Sequence, residues 1–199
     1  MDETAPDGRP TVHPLDRAAW RSWLEVNHAR STGVWVVTFK KATGKPRVEY
    51  DEIVEEAICF GWIDSKPNKL DHERSMLWLA PRKPKSAWSA PNKERVERML
   101  AAGLMAEAGL GMVARAKESG QWDLLNDVEN LVVPDDLAAA FERHPGSLDQ
   151  WNGFSRSGRR GILEWIIQAK KPETRAARIE ETAKLAAVGE KANQWTRKP

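Results

Sequence analysis

The feature that most constrains the fold is an amphipathic helix that stops at a glycine and is followed at once by a strand. Residues 51–60 carry apolar side chains at helical spacing. Gly61 follows, and glycine tolerates the left-handed backbone that ends many helices. Residues 62–65 then predict a strand that contains one carboxylate, Asp64. The acidic side of the helix is expected to face solvent: Glu52, Glu55 and Glu56.

Other short segments predict further strands and a preceding helix. Residues 34–39 form a β-branched and aromatic run of buried-strand length. Residues 75–80 predict a strand that pairs with 62–65, and the polar segment 66–74 predicts a long loop between them. Asp16 is suited to cap a helix whose apolar side chains recur every three to four residues. The order strand, helix, strand, strand predicts a small mixed sheet.

The chain after Ser89 is predicted to be helical. Residues 155–170 and 173–187 predict two helices that are separated by Lys171 and Pro172, which together form a helical hairpin. The predicted fold class is therefore α+β, a small mixed β-sheet with flanking helices followed by an all-helical C-terminal region that ends in a helical hairpin. The predicted organisation is a flexible N-terminus over residues 1–14, an α+β domain over 15–122 and a helical C-terminal region over 123–199.

Composition limits the classes of function. The 199 residues carry a formal net charge of only +2, so the chain has no strong overall field that would attract nucleic acid or a membrane surface. Cys59 is the single cysteine, which excludes an internal disulfide and suits a reducing compartment. The four histidines lack metal-ligand spacing, and no phosphate or dinucleotide fingerprint occurs. We therefore expect a cytoplasmic protein without a metal or cofactor.

Three separated motifs carry a family resemblance. The first runs from Glu56 to Asp64, the second covers Pro81–Lys83 and Ser86–Ser89 with Asn92, and the third covers Ala169–Arg175 with Arg178 and Ile179. In this order they resemble the YdeI/OmpD-associated (bacteriocin-protection) family of bacterial proteins, and the similarity spans residues 20–185. The resemblance implies a genetic link to resistance against bacteriocins or antimicrobial peptides and to an outer-membrane porin. It implies no reaction and no catalytic residue.

The first candidate site is a corner between a strand and a basic loop. An aromatic residue among cations can hold a phosphate or stack a base. Asp64 is the candidate general acid or base, with His72 as a candidate assistant in the loop that follows. The competing interpretation is that Asp64 makes a structural hydrogen bond or ion pair and that the loop cations are solvated. The candidate ligand-binding residues are Trp62, Asp64, Arg82, Lys83, Lys85 and Trp88.

The second candidate site is an anion patch beside the start of the last helix. Free N–H groups at a helix start add to nearby cations in binding anions. The competing interpretation is a hairpin held together by Glu173 and these basic residues. The patch consists of Lys170, Lys171, Arg175 and Arg178.

Two classes of function follow, and a third is weaker. The leading hypothesis is a non-catalytic cytoplasmic stress-protection protein that binds a small anionic ligand or a protein partner at the corner. The alternative is an enzyme of unknown reaction, in which Asp64 is the acid or base, His72 assists, and Arg82 or Lys83 positions an anionic substrate. The weaker hypothesis is that both basic patches bind nucleic acid. The oligomeric state does not follow from the sequence.

Overall fold

The computed structural model describes residues 4–194. The chain forms two compact units, Met1–Asp123 and Leu124–Pro199. The first unit contains a four-stranded sheet with helices, and the described part of the second contains helices and no strand. The predicted α+β class, with a helical C-terminal region, is confirmed.

In the first unit the elements follow one another as β1 (Thr11–Val12), α1 (Arg17–Asn27), β2 (Val34–Phe39), a short 3-10 turn (Lys41–Thr43), α2 (Tyr50–Cys59), β3 (Trp62–Lys69), β4 (Arg74–Pro81), α3 (Ala90–Ala101) and α4 (Glu107–Glu118). The second unit contains α5 (Asn126–Glu129), α6 (Asp135–Arg143), α7 (Ser147–Gly153), α8 (Arg156–Ile167) and α9 (Pro172–Ala187). Among residues 4–194, no helix is long and apolar enough to cross a membrane.

The sheet is mixed, as predicted. Its strand order is β1-β2-β4-β3, with β1 parallel to β2 and the other pairs antiparallel. Alternate residues of a strand point to the same face of a sheet. On one face these side chains pack against α1 and α2. The core on that face includes Trp20, Leu24, Val36, Ile53, Leu77 and Leu79.

The described part of the N-terminal segment, residues 4–14, is attached to the sheet, whereas the sequence predicts a flexible segment over residues 1–14, of which residues 1–3 lie outside the described residues. Ala5 is 4% exposed and packs against the second face of the sheet, where Trp35 and Met76 are buried. The indole N–H of Trp35 donates to Asp7 at 3.1 Å. The polar composition of this segment concealed its role, because the segment is attached to the sheet by the strand pairing of β1 with β2 and by the apolar contact of Ala5.

The hairpin between β3 and β4 is longer than predicted, and its turn is shorter. The structure extends β3 to Lys69 and begins β4 at Arg74, so the turn covers only residues 70–73 instead of 66–74. The polar residues at the end of β3 gave the wrong prediction because β3 is an edge strand, whose outer positions are exposed to solvent.

Glu55 and Glu56 of α2 are buried, which corrects the expectation that they face solvent, whereas Glu52 is half-buried. Glu56 is 2% exposed and accepts hydrogen bonds from Arg17 Nε at 2.6 Å and Arg21 Nη1 at 2.7 Å. Glu55 is 8% exposed and accepts from Arg17 Nη1 and Arg98 Nη2, both at 2.9 Å. These ion pairs connect α2 to α1 and α3, so burial of the carboxylates is compensated by direct charge partners.

The second unit is organised around a helical core. The predicted hairpin is formed by α8 and α9, and Arg178 of α9 donates to the carbonyl of Trp165 of α8. The sequence predicts this region as helical but does not separate out two short helices, α5 and α7. Arg160 of α8 binds Glu129 at the end of α5 through two hydrogen bonds. The buried side chains of this core include Leu137, Phe141, Trp151, Ile162, Ile166, Ile179 and Ala183.

Candidate ligand-binding cleft

A cleft of about 450 Å³ opens in the first unit, between the start of α2 and one end of the sheet. Its apolar lining includes the buried residues Val48, Ile53 and Leu77. Its polar groups are supplied by the loop before α2, by the first residue of α2 and by strands β2, β3 and β4. The complete lining is Thr38, Arg47, Val48, Tyr50, Ile53, Asp64, Ser65, Pro67, Asn68, Ser75, Met76 and Leu77. We call this cavity the Asp64 cleft.

An irregularity in β3 places Asp64 in the cleft. Asp64 lies opposite Leu79 of β4, whereas Pro67 lies opposite Leu77, so β3 has one more residue than β4 over this interval. Because paired residues point to the same face, Asp64 and Pro67 both lie on the helix-facing side. Without the extra residue, strict alternation would place residue 66 on the helix-facing side in the position that Pro67 takes.

Asp64 is held by a tyrosine at the start of α2. The Tyr50 hydroxyl donates to Asp64 Oδ2 at 2.9 Å. Partial burial, together with the hydrogen bond to Asp64 and the negative charge of Asp64, raises the pKa of Tyr50 to about 12. Tyr50 is therefore a protonated donor throughout the physiological range, and it fixes the orientation of the carboxylate.

The single tyrosine gives a direct test of this contact. Because Tyr50 is the only tyrosine in the chain, absorbance near 295 nm during alkaline titration reports this residue alone after subtraction of the tryptophan background. We expect a midpoint at about pH 12 for the native protein and a lower one in Asp64→Asn, where burial remains but the charge is lost. Since the folded pKa is raised, its stabilising contribution is complete below about pH 10 and is lost as the pH rises through the folded value. Equal midpoints in both proteins, with circular dichroism showing that both are folded, would refute the contact.

The cation in the cleft wall already has its partners. Arg47 donates from Nε to Glu49 Oε1 at 2.8 Å and also binds the second carboxylate oxygen through Nη2. Its Nη1 donates to the Phe39 carbonyl at 3.3 Å. The Arg47 hydrogen bond lowers the pKa of Glu49, which is consistent with a matched ion pair. Arg47 therefore forms part of the cleft wall but adds little uncompensated positive charge to the cleft.

The predicted corner does not form one pocket. Of its residues, only Asp64 lines the cleft. Trp62 is 1% exposed and donates its indole N–H to the carbonyl of His28 at 3.1 Å, so it belongs to the core. Trp88 is 2% exposed and packs against Trp122 in a second hydrophobic cluster. Both tryptophans are structural in this arrangement because no face of either is open to a ligand.

Arg82 lies on the loop after β4, as the sequence predicts, but its side chain is buried instead of solvated. Its guanidinium carbon lies 3.8 Å from the centre of the Trp88 ring, and its Nη2 donates to the carbonyl of Ala87. Within residues 4–194, Nε and Nη1 of Arg82 have no hydrogen-bond partner. Burial lowers the pKa of Arg82 to about 10, opposed by the negative charge of Asp64. Arg82 is thus an inner cation that interacts electrostatically with the cleft carboxylate.

The remaining residues of the first candidate site lie apart from the cleft. Lys83 and Lys85 are exposed on the loop after β4. His72 is exposed in the turn between β3 and β4 and does not line the cleft.

Cys59 is buried, and burial raises the pKa of its thiol to about 11, which makes it a poor nucleophile. Among residues 4–194, no cluster of three or more potential metal ligands occurs.

The second candidate patch is divided between structural and exposed cations. Arg175 makes two hydrogen bonds to Asp136 of α6, at 2.7 and 3.0 Å, and this lowers the pKa of Asp136. Arg178 lies over the Trp165 ring, 4.8 Å from its centre. Lys170 and Lys171 are exposed. The arginines therefore tie α9 to α6 and α8, and the interhelical partner is Asp136 instead of the expected Glu173.

Several residues of the cleft were not found by sequence reasoning. Tyr50 is the first residue of α2, and its being the only tyrosine is the one signal that could have drawn attention to it. Thr38 and Ser75 face each other across β2 and β4, with their hydroxyl oxygens 3.4 Å apart. Nothing in their local sequence distinguishes them from other strand residues.

The comparison with known families assigns the two parts of the chain separately. Residues 12–112 match DUF8412, a domain of unknown function. Because this match covers just over half of the chain, the protein belongs to the DUF8412 family. Every residue of the Asp64 cleft lies within the matched region.

The C-terminal region of the chain matches a second family. Residues 130–189 match the family described as Bacteriocin-protection, YdeI or OmpD-Associated, and this confirms the family resemblance there. The third sequence motif lies within this match, whereas the first two lie in the DUF8412 region. The match associates the chain with bacteriocin protection. No curated protein and no solved structure was found to match the chain.

Proposed function

We propose that this protein acts in bacteriocin protection as a non-catalytic cytoplasmic protein that binds a small molecule in the Asp64 cleft. The cleft itself is the observation that carries the proposal. Its volume of about 450 Å³ falls within the usual range of small-molecule sites. Such sites combine an apolar lining with a few fixed polar groups, and the cleft has the same combination.

The arrangement around Asp64 supports binding more than catalysis. Tyr50 donates a hydrogen bond to the carboxylate, and the raised pKa of Tyr50 keeps that donor protonated. His72, the expected assistant of an acid or base, lies outside the cleft. A carboxylate that is oriented by a fixed donor is well suited to accept hydrogen bonds from a ligand, because its orientation costs little entropy upon binding.

A screen of small fragments by ¹H–¹⁵N NMR on the full chain tests the proposal. Fragments that bind are expected to shift the signals of residues lining the cleft, including the side-chain amide of Asn68. Ser75→Phe should abolish these shifts, because the larger side chain would occupy the cleft. Ser119→Phe is the matched control, since Ser119 is exposed at the end of α4 and does not line the cleft.

The outcomes distinguish the cleft from other surfaces. Cleft shifts that disappear in Ser75→Phe and persist in Ser119→Phe support the proposal, provided that circular dichroism shows both variants folded. Shifts that persist in Ser75→Phe, or that map to exposed cations such as Lys83 and Lys171, would contradict it. A protein that responds to no fragment would favour the alternative role in binding a protein partner.

A further inference from the structure

We infer that the Asp64 cleft selects small ligands that carry a protonated amine, with the Asp64 carboxylate as the binding group. This inference rests on the proposed function and gives its ligand a chemical class. This class of ligand differs from the anionic ligand expected from the sequence, because the loop cations that suggested an anion do not line the cleft.

The charges that line the cleft favour a cation. The lining contains one carboxylate, Asp64, and one guanidinium, Arg47, among the residues that the structure describes. Arg47 is neutralised by Glu49 and also donates to a backbone carbonyl. The carboxylate of Asp64 has no ion-pair partner within 4 Å in residues 4–194. An anion would therefore meet a negative charge that no direct ion pair neutralises, whereas a cation would be attracted to it.

Asp64 retains the capacity to accept further hydrogen bonds. An ionised carboxylate has about four acceptor positions. Tyr50 occupies one of them on Oδ2, and within the described chain Oδ1 has no hydrogen-bond partner. Arg82 interacts with Asp64 electrostatically from its buried position, but it donates no hydrogen bond to the carboxylate. Free acceptor positions on an oriented carboxylate are what a primary ammonium group requires, since it is a donor only.

The neutral groups of the cleft complete the match to an amine. A protonated primary amine has three N–H donors, and Asp64 cannot align with all of them at once. The hydroxyls of Thr38 and Ser75 provide additional acceptors in the lining. The apolar side chains of Val48 and Ile53 suit a short hydrocarbon portion. A small aliphatic amine therefore fits both the polar and the apolar parts of the cleft.

Isothermal titration of the full chain with three matched probes tests this selectivity. n-Butylamine, n-butanol and butyrate have chains of similar size and differ in charge at pH 7. We expect butylamine to bind at least tenfold more tightly than either other probe. Asp64→Asn should reduce the affinity for butylamine at least tenfold. Glu97→Gln, which removes one negative charge from an exposed position of α3, should leave that affinity unchanged.

The results separate this inference from the proposed function. If all three probes bind equally, or if Asp64→Asn and Glu97→Gln have the same effect, the amine inference fails, although the cleft still binds small molecules. Tighter binding of butyrate would also overturn it. If butylamine fails to bind, the inference is wrong. The proposed function fails as well only if the NMR screen shows no fragment in the cleft.

Discussion

Gly109→Ala is expected to destabilise the first unit by about 3 kcal/mol. Helix α4 crosses the end of α2 so closely that a Cβ atom at Gly109 would lie 2.2 Å from the carbonyl oxygen of Cys59. The same atom would lie 2.8 Å from the carbonyl oxygen of Ile58. These are backbone atoms, which cannot rotate away as a side chain can. The loss should appear as a lower urea midpoint in equilibrium unfolding of the full chain.

Gly111→Ala is the matched control on the same helix. A Cβ atom there would lie 3.3 Å from Nη1 of Arg115, the flexible end of a side chain that can move aside. Since alanine is a better helix former than glycine, Gly111→Ala should be neutral or stabilising by up to about 1 kcal/mol. Equal destabilisation by the two substitutions would contradict the close packing of α4 on α2.

Glu56→Gln is expected to lower the free energy of unfolding by about 3 kcal/mol. The carboxylate of Glu56 is almost completely buried and accepts hydrogen bonds from both Arg17 and Arg21. The substitution preserves size but removes the charge, so two partly buried guanidinium groups lose their common partner. Equilibrium unfolding in urea at neutral pH measures the effect.

Glu25→Gln provides the control for this second prediction. Glu25 pairs with the same Arg21, at 3.4 Å, but its side chain is 54% exposed. Exposed pairs of this kind contribute about 1 kcal/mol at most. If Glu56→Gln and Glu25→Gln lowered the free energy of unfolding by similar amounts, the buried ion pairs between α1 and α2 would not stabilise the unit as we describe.

The elements that depend on local sequence were predictable. The periodicity of α1 and α2, the cap at Asp16 and the helix stop at Gly61 all agree with the structure. Gly61 adopts φ of 75°, the left-handed conformation that glycine accepts without strain. These features are set by residues within one or two helical turns, so their signals are visible in a single sequence.

Features that depend on distant partners were not predictable in this way. Glu55 and Glu56 have the spacing and charge of a solvated helix face, and their burial depends on arginines 35 to 43 residues away in sequence. Arg82 has the sequence context of an exposed basic loop. Its burial depends on the position of Trp88 in the core. Whether a charged side chain is exposed or buried thus depends on tertiary contacts, which the periodicity of the sequence does not reveal.

The candidate site was predicted in part. Asp64 was identified because it is a lone carboxylate in an apolar strand, and it lines the cleft. Its partners were missed because they come from a helix start, a preceding loop and two other strands. The extra residue in β3 also changes which side chains share a face with Asp64, and strict alternation along a strand cannot reveal it.

The most direct test of the cleft as a binding site is a crystal structure of the full chain soaked with n-butylamine. We expect electron density for the amine in the Asp64 cleft, with its nitrogen within hydrogen-bond distance of the Asp64 carboxylate and its hydrocarbon portion against Val48 and Ile53. Crystals of Asp64→Asn soaked in the same way should lack that density. Amine bound elsewhere in the wild-type chain, with an empty cleft, would contradict the account.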